Sequence, residues 1–297
     1  MGSRSTIHPP AAVLRSAGRT RRWFSILAAA LLLAFGAAPA LARVKIGVTP
    51  GSLADSVQVA AAEARAQGLA VEVVEFTDWT TPNLALANGD LDVNYFQHQA
   101  FLDNAVKETG FPLKSVAVGI LPNIGLYSKQ HASLTALPDG AKVAVANDPV
   151  NQGRGLALLE TAGLIKLKAG IGAKATLDDI VANPKKLTFV EIEGPQLVRA
   201  LSDVDLAQGY PAHYVNAGRA DIAGKALIYS GIGDLIYAIR FVTRADRADD
   251  PEIAKFVAIY QTSPAVRARI DASFAHNPSL YSLPWLPRAA PSQSSAR

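Results

Sequence analysis

An arginine one to two turns into a predicted helix is the first candidate for ligand chemistry. The segment Asn147-Asp148-Pro149 follows a strand-like run and is typical of a helix start, because Asp148 can cap free backbone N–H groups and Pro149 needs no N–H partner. Such a helix N-terminus favours an anion. Arg154 can add a bidentate contact to a carboxylate. The alternative is a surface arginine on a well-capped helix.

A second candidate site lies at Phe96-Gln97-His98, where a predicted strand passes into a helix. Open α/β sheets place their ligands at the carboxyl ends of strands. With Tyr95, Phe101 and Tyr127, this segment can supply an aromatic wall for a ligand. The alternative is that these rings are core residues and that His98 is a structural histidine.

Several kinds of catalytic and metal site are excluded or unsupported. The chain has no cysteine, which excludes thiolate metal sites, cysteine nucleophiles and redox dithiols. The histidines are far apart, and no serine-hydrolase elbow or dinucleotide-binding glycine loop is found. The carboxylate pairs Asp178-Asp179 and Asp249-Asp250 lie at predicted helix starts, where acids favour the helix dipole. We therefore expect no catalytic constellation, no cofactor and no metal.

The elements that must position the candidate residues alternate between strands and helices. Strands are predicted at residues 44–48, 70–76, 91–95, 142–146, 187–192, 205–209 and 236–243, with an extended stretch at 115–128. Helices are predicted at residues 52–67, 81–88, 97–108, 149–162, 177–181, 195–202, 251–260 and 263–274. This order predicts an α/β fold with two lobes, each a mostly parallel sheet flanked by helices.

The first 42 residues have the three parts of a secretory signal peptide. Five arginines precede or border an apolar run at residues 23–35, which is too short to span a bilayer, and Ala40-Leu41-Ala42 is a small-x-small cleavage pattern. The segment Thr20-Arg21-Arg22-Trp23-Phe24 also resembles a twin-arginine motif, so Sec and twin-arginine export both stay open. We expect cleavage after Ala42 and export to the periplasm.

The charge of the whole chain comes from this leader. The formal charge is +4 for the full sequence, but residues 43–297 carry 24 basic and 25 acidic side chains, a formal charge of −1. A nucleic-acid partner would need a surplus of lysine and arginine on one face. We therefore expect no nucleic-acid binding.

Several blocks of sequence occur in an order that is typical of one known family. They are Ile46-Gly-Val-Thr-Pro-Gly51, Phe76-Thr-Asp-Trp-Thr-Thr-Pro-Asn83, Gly89-Asp-Leu-Asp92, Asn94-Tyr-Phe-Gln-His-Gln99, Val143-Ala-Val-Ala-Asn-Asp-Pro-Val-Asn-Gln-Gly-Arg154, Gly163-Leu-Ile-Lys-Leu-Lys168, Pro195-Gln-Leu197 and Val242-Thr-Arg244. From about residue 44 to 260 the chain resembles the D-methionine-binding lipoproteins of the NlpA type, the substrate-binding components of methionine ABC importers.

The resemblance implies a two-lobed type II periplasmic binding fold that closes on a ligand between its lobes. Lobe 1 is expected at residues 43–130 and 235–286, lobe 2 at 131–234, and a disordered tail at 287–297. Hinges are expected at residues 128–134 and 222–236.

The resemblance also implies roles for single residues. Arg154 would hold the carboxylate of the ligand, with Asn151 in the same motif, and Phe96, His98 and Tyr127 would line the side-chain pocket. Tyr210 and Ile239 stand where family members usually have asparagines for the amino-acid headgroup. Each buried polar ligand atom needs a partner, which makes methionine doubtful as the ligand. Candidates to receive a different carboxylate are Gln208, Tyr210, His213 and Arg240.

These observations favour a monomeric periplasmic solute-binding protein, free of a lipid anchor because it has no lipobox cysteine. It would deliver a small carboxylate-bearing ligand, an amino acid such as methionine or a related compound, to an ABC permease at the inner membrane. One alternative is a dehydratase-like enzyme on the same scaffold, with His98 or His213 as general base. The other is a sensory component that presents its closed form to a membrane receptor.

Overall fold

The computed structural model of the protein describes Gly2 and residues 43–287. The predicted signal peptide and C-terminal tail lie outside these residues, except for Gly2 and Pro287. The strands are β1 Arg43–Val48, β2 Ala70–Glu75, β3 Val93–His98, β4 Leu113–Val118, β5 Leu121–Pro122, β6 Gly125–Tyr127, β7 Lys142–Ala146, β8 Lys166–Leu167, β9 Ile180–Ala182, β10 Thr188–Ile192, β11 Leu206–Gly209, β12 Ile228–Tyr229, β13 Ile239–Arg244 and β14 Tyr281–Ser282.

The α-helices are α1 Ser52–Ala66, α2 Thr81–Asn88, α3 Gln99–Thr109, α4 Pro149–Thr161, α5 Leu197–Ala200, α6 Pro211–Asn216, α7 Ala220–Ala223, α8 Pro251–Thr262 and α9 Pro264–Ser273. Within the described residues, none of these helices has the length and apolar character needed to cross a membrane.

Two five-stranded sheets define the two lobes. The sheet of lobe 1 has the order β2-β1-β3-β13-β4, and the sheet of lobe 2 has the order β10-β7-β11-β6-β12. In each sheet four strands run in one direction, and a single strand, β13 or β6, runs against both of its neighbours. The predicted α/β fold, with two lobes and a mostly parallel sheet in each, is confirmed.

The chain crosses between the lobes earlier than the sequence predicts. Strand β6 pairs with β11 and β12 of lobe 2, so the expected boundary at residue 130 and the hinge expected at 128–134 are corrected by this pairing. The first crossing lies between β4 and β6, because β4 pairs with β13 of lobe 1 and β6 pairs in lobe 2. The predicted extended stretch at 115–128 is divided among three separate strands. The second crossing lies between β12 and β13 and overlaps the hinge expected at 222–236.

Local hydrogen bonds explain two further differences. The predicted helix at residues 177–181 is a single 3-10 turn with a capping box at its start, and it stops at Asp179 because the next residues pair with β8 as strand β9. Helix α3 begins at Gln99, two residues after the predicted start, because the side chain of His98 caps it by accepting the Phe101 N–H.

Each lobe has its own apolar core, which packs around its sheet. In lobe 1 the rings of Tyr95 and Phe241 stack with their centroids 4.1 Å apart. In lobe 2 the consecutive buried residues 143–146 of β7 belong to the core, and β7 packs against α4. The carboxyl ends of β1, β3, β7 and β11 meet at the gap between the lobes, which is where an open α/β sheet binds its ligand.

Candidate functional site

A cleft between the lobes gathers the residues that follow these four strands. Lobe 1 contributes Thr49, Pro50, Ser52, Leu53, Trp79, Phe96, Gln97, His98, Phe101, Ile239 and Phe274. Lobe 2 contributes Asn151, Arg154, Tyr210, Ala212 and His213, and the crossing segment contributes Ile120 and Pro122. The free space, including the part open to solvent, is about 690 Å³. A mainly apolar cleft of this size with a few polar groups is typical of a small-molecule site.

Arg154 brings a buried positive charge to the cleft. Its side chain lies on α4 and is 5% exposed. Its Nη2 donates to the Pro122 carbonyl at 3.4 Å, and its guanidinium lies 4.1 Å from the centroid of the Tyr237 ring. Among the described residues, Nε and Nη1 have no hydrogen-bond partner. The alternative of a surface arginine is therefore wrong.

Burial lowers the pKa of the Arg154 guanidinium from its ordinary value, and electrostatic interactions with Tyr210, Tyr237 and Asp234 oppose that shift. An arginine keeps its charge at neutral pH in spite of such a shift. A buried cation with free N–H groups is costly until an anion pairs with it. The side chain is therefore built to receive a carboxylate or a similar anion.

The N-terminus of α4 is already occupied by an anion of the chain itself. The Asp148 carboxylate caps the helix by accepting the Asn151 backbone N–H at 2.9 Å, and both of its oxygens also accept from Asn151 Nδ2 at 3.1 Å. Burial raises the pKa of Asp148, and the hydrogen bonds from Asn151 oppose this shift. The helix start predicted as an anion site is therefore filled, and Arg154 is the free anion-binding group.

His98 connects the two lobes as a neutral ring. Its Nδ1 accepts the Phe101 backbone N–H at 3.2 Å, so the proton lies on Nε2, which donates to Asn151 Oδ1 across the cleft at 3.2 Å. Burial, followed by the charge of Arg154, lowers the pKa of His98 to about 3. The structure thus places His98 in the cleft, as a hydrogen-bond donor between the lobes.

His213 lies at the rim of the same cleft on α6. Burial lowers its pKa to about 4. Its ring packs beside Tyr210 with the centroids 5.1 Å apart. Both candidate general bases are therefore neutral at pH 7 and much weaker bases than a free histidine.

Asn151 is the centre of the polar network in the cleft. Its Oδ1 accepts from the Tyr210 hydroxyl at 2.7 Å as well as from His98. Gln208 lies below this layer and does not line the cleft. Its Nε2 donates to the Asn151 carbonyl at 2.9 Å and its Oε1 accepts the Ala146 N–H at 3.1 Å. Gln208 therefore positions Asn151 and does not reach the ligand space.

Aromatic side chains form the apolar wall. Phe96 is 6% exposed and packs edge-to-face on Phe101, as the sequence predicts for this segment. Trp79, which is not among the predicted site residues, also joins this wall and packs edge-to-face on Tyr210 with the centroids 5.8 Å apart. Trp79 follows β2 in the block that begins at Phe76, so its place after a strand was a usable signal. Phe274 directly follows α9, and no sequence motif there predicts a place in the cleft.

Besides Gln208, two more of the predicted site residues lie outside the cleft. Tyr127 is fully buried in lobe 2, where its hydroxyl donates to the Ala223 carbonyl at 2.9 Å and its ring packs on Tyr214. Because β6 belongs to the sheet of lobe 2, this ring enters the core and does not join the pocket wall. Arg240 points along the crossing segment and donates to the Leu235 carbonyl at 2.9 Å.

Within residues 43–287, no group of three or more histidine or carboxylate side chains is arranged to hold a metal ion.

Comparison with known proteins places these features in a family. The family model described as NlpA lipoprotein matches residues 44–279. The D-methionine-binding lipoprotein MetQ of Salmonella typhimurium is 42% identical over 231 residues, which is 76% of this chain and 84% of that protein.

Solved structures give the same result. The structure of a nutrient binding protein from Burkholderia cenocepacia bound to methionine has a TM-score of 0.73 and 41% identity, and the match covers 81% of this chain and 99% of that chain. An ABC transporter periplasmic substrate-binding protein from Coxiella burnetii has a TM-score of 0.73 and 37% identity, with 81% and 99% of the two chains covered.

Proposed function

Because the chain belongs to the NlpA lipoprotein family, we propose that it is the periplasmic substrate-binding component of an ABC importer. It acts as a monomer, binds a small carboxylate-bearing ligand, an amino acid such as methionine or a related compound, and delivers it to a permease at the inner membrane. The names of its relatives support this function, since they include a D-methionine-binding lipoprotein, a periplasmic substrate-binding protein and a protein bound to methionine.

The buried guanidinium of Arg154 is the observation that carries this proposal. Two of its nitrogens have no hydrogen-bond partner among the described residues, and the cleft that it lines is mainly apolar. A ligand carboxylate can accept a charge-assisted hydrogen bond from either of them, and such bonds are stronger than those from neutral donors. Phe96, Trp79 and Phe101 then surround the apolar body of the ligand.

Closure of the lobes accounts for delivery. Arg154 and Tyr210 belong to lobe 2, whereas Phe96 and His98 belong to lobe 1, so a ligand in the cleft contacts both lobes at once. Such contacts stabilise the closed state, and a permease that recognises this state receives loaded protein. The hydrogen bond from His98 to Asn151 supports the same closed arrangement.

Binding is favoured over catalysis by the state of the histidines. A general base should have a pKa near the working pH, and the pKa values of His98 and His213 are about 3 and about 4. Neither histidine has a carboxylate partner among its hydrogen bonds in the described residues. An enzyme that uses either as a base would start with a poor proton acceptor.

Calorimetry of the purified protein against amino acids and small organic acids tests the proposal. We expect at least one carboxylate to bind, and we expect Arg154→Gln to weaken it by at least tenfold, because a buried charge-assisted contact is lost. Arg219→Gln is the matched control, since Arg219 is exposed and pairs with Asp221. The proposal is wrong if no carboxylate binds the wild type, or if Arg154→Gln binds it equally well.

A further inference from the structure

The described lining of the cleft carries a positive charge and no negative charge to balance it. Among the described residues, Arg154 is the one charged side chain in the lining, and no aspartate or glutamate joins it. The nearest acids are already engaged or face elsewhere. Asp148 has both oxygens occupied by Asn151. Asp234 caps a 3-10 turn by accepting the Ile236 N–H at 3.1 Å and lines a separate opening on the other side of Arg154.

Three neutral oxygens of the lining residues already accept hydrogen bonds. Asn151 Oδ1 accepts two hydrogen bonds, from Tyr210 and His98. The backbone carbonyls of Ile120 and Ile239 accept N–H groups at 2.8 and 2.7 Å. Ile239, Ile120, Phe96 and Phe274 add apolar side chains to the lining, beside His98, the cross-strand neighbour of Ile239.

An α-amino acid would bring an ammonium group with three N–H donors beside its carboxylate. In this cleft the ammonium would lose its water, would find no carboxylate, and would lie near the buried charge of Arg154. Both effects oppose binding, because a desolvated cation needs hydrogen-bond acceptors or an opposite charge and is repelled by a like charge. A carboxylate that carries no ammonium avoids both costs and still pairs with Arg154.

We propose that the preferred ligand is a monocarboxylate with an apolar body and no α-ammonium group, and that the cleft discriminates against zwitterionic amino acids. This inference rests on the proposed binding function and narrows its ligand class. Arg154 recognises the carboxylate, the apolar residues around Ile239 cover the carbon next to it, and the aromatic wall holds the remainder of the molecule.

Matched ligand pairs that differ only in the ammonium group test the inference. The first pair is 4-(methylsulfanyl)butanoate and methionine, and the second is 3-phenylpropanoate and phenylalanine, with both enantiomers of each amino acid. The amine 3-(methylsulfanyl)propylamine, which keeps the ammonium and lacks the carboxylate, is the reverse probe. Affinities are measured by calorimetry with the purified protein, first for the wild type and then for Arg154→Gln and Arg219→Gln.

We expect the carboxylate without ammonium to bind at least tenfold more tightly than the amino acid in each pair that binds, and the amine not to bind. Arg154→Gln should remove most of that affinity, and Arg219→Gln should keep it. If an amino acid binds as tightly as its partner and loses affinity in Arg154→Gln, the binding function stands and the ligand inference is overturned. If neither member of either pair binds the folded wild type, the inference is overturned, and the wider panel of acids decides the binding function separately.

Discussion

At the scale of single residues, the cleft combines a permanent charge with neutral histidines. Arg154 keeps its charge at neutral pH, and His98 and His213 have pKa values of about 3 and about 4. Recognition of a carboxylate therefore does not depend on histidine protonation near neutral pH. The histidines contribute instead to the pH dependence of folding, because their pKa values in the unfolded chain are close to 6.5.

The sign of that dependence follows from linkage. Above pH 6.5 His98 is neutral in both states and contributes no pH dependence. Below pH 6.5 the unfolded chain takes up a proton that the folded protein refuses until about pH 3, so stability falls as the pH falls through this window. At pH 5 the loss is about 2 kcal/mol for this histidine.

Urea unfolding at pH 7.5 and pH 5 measures this loss. We expect His98→Gln to reduce the difference in unfolding free energy between the two pH values by about 2 kcal/mol, because glutamine does not titrate. His213→Gln should act in the same direction. If His98→Gln leaves the difference in unfolding free energy between pH 7.5 and pH 5 unchanged, His98 takes up a proton as readily in the folded state as in the unfolded state.

At the scale of the elements, α4 carries the polar side of the site. Asp148 caps its first turn, Asn151 meets Tyr210 and His98, and Arg154 reaches the cleft one turn later. The orientation of Asn151 depends on Asp148 below it and on Gln208 behind it. A change in the cap should therefore affect both stability and ligand binding.

Substitution of the cap tests this coupling. Asp148→Ala removes the acceptor for the Asn151 N–H and should destabilise the protein by about 1–2 kcal/mol, with weaker binding because Asn151 is no longer held. Asp148→Asn keeps a capping oxygen and is the matched control, with an expected loss of less than about 1 kcal/mol. Thermal unfolding and calorimetry give the two readouts. Equal losses in both variants would contradict the capping role.

The start of α4 could be predicted from the sequence, because a strand followed by Asn-Asp-Pro is a local signal and the position of Arg154 follows from it. The segment around His98 was found in the same way, from the end of a strand. Tyr127 could not be placed, because its role depends on which sheet β6 joins, and that pairing is made with β11, about 80 residues later in the chain. Phe274 reaches the cleft from α9 only through the packing of lobe 1.

At the scale of the whole molecule, the structure has the lobes in contact around the cleft. His98 donates to Asn151, and Trp79 of lobe 1 packs on Tyr210 of lobe 2. Trp79 also lies against Gly194 of lobe 2, where a Cβ atom would be 2.0 Å from the indole. Because Gly194 has no side chain, the Trp79 ring can pack against its backbone when the lobes are closed.

Gly194→Ala should oppose closure without harming either lobe. The added methyl group meets Trp79, which is held by Tyr210, so the lobes must stay further apart. We expect ligand affinity to fall by about tenfold or more, which corresponds to about 1.4 kcal/mol per factor of ten. Thermal stability of the ligand-free protein should change little, because the clash can be relieved by opening.

Gly224→Ala is the matched control, because its Cβ would lie 3.5 Å from Asn277 Nδ2, an ordinary contact. Calorimetry measures the affinity, and small-angle X-ray scattering with and without ligand measures the compaction on closure. The control should compact like the wild type, and Gly194→Ala should not. If Gly194→Ala binds and compacts like the wild type, the contact between Trp79 and Gly194 does not limit closure, and the ligand is held without this seating of the two lobes.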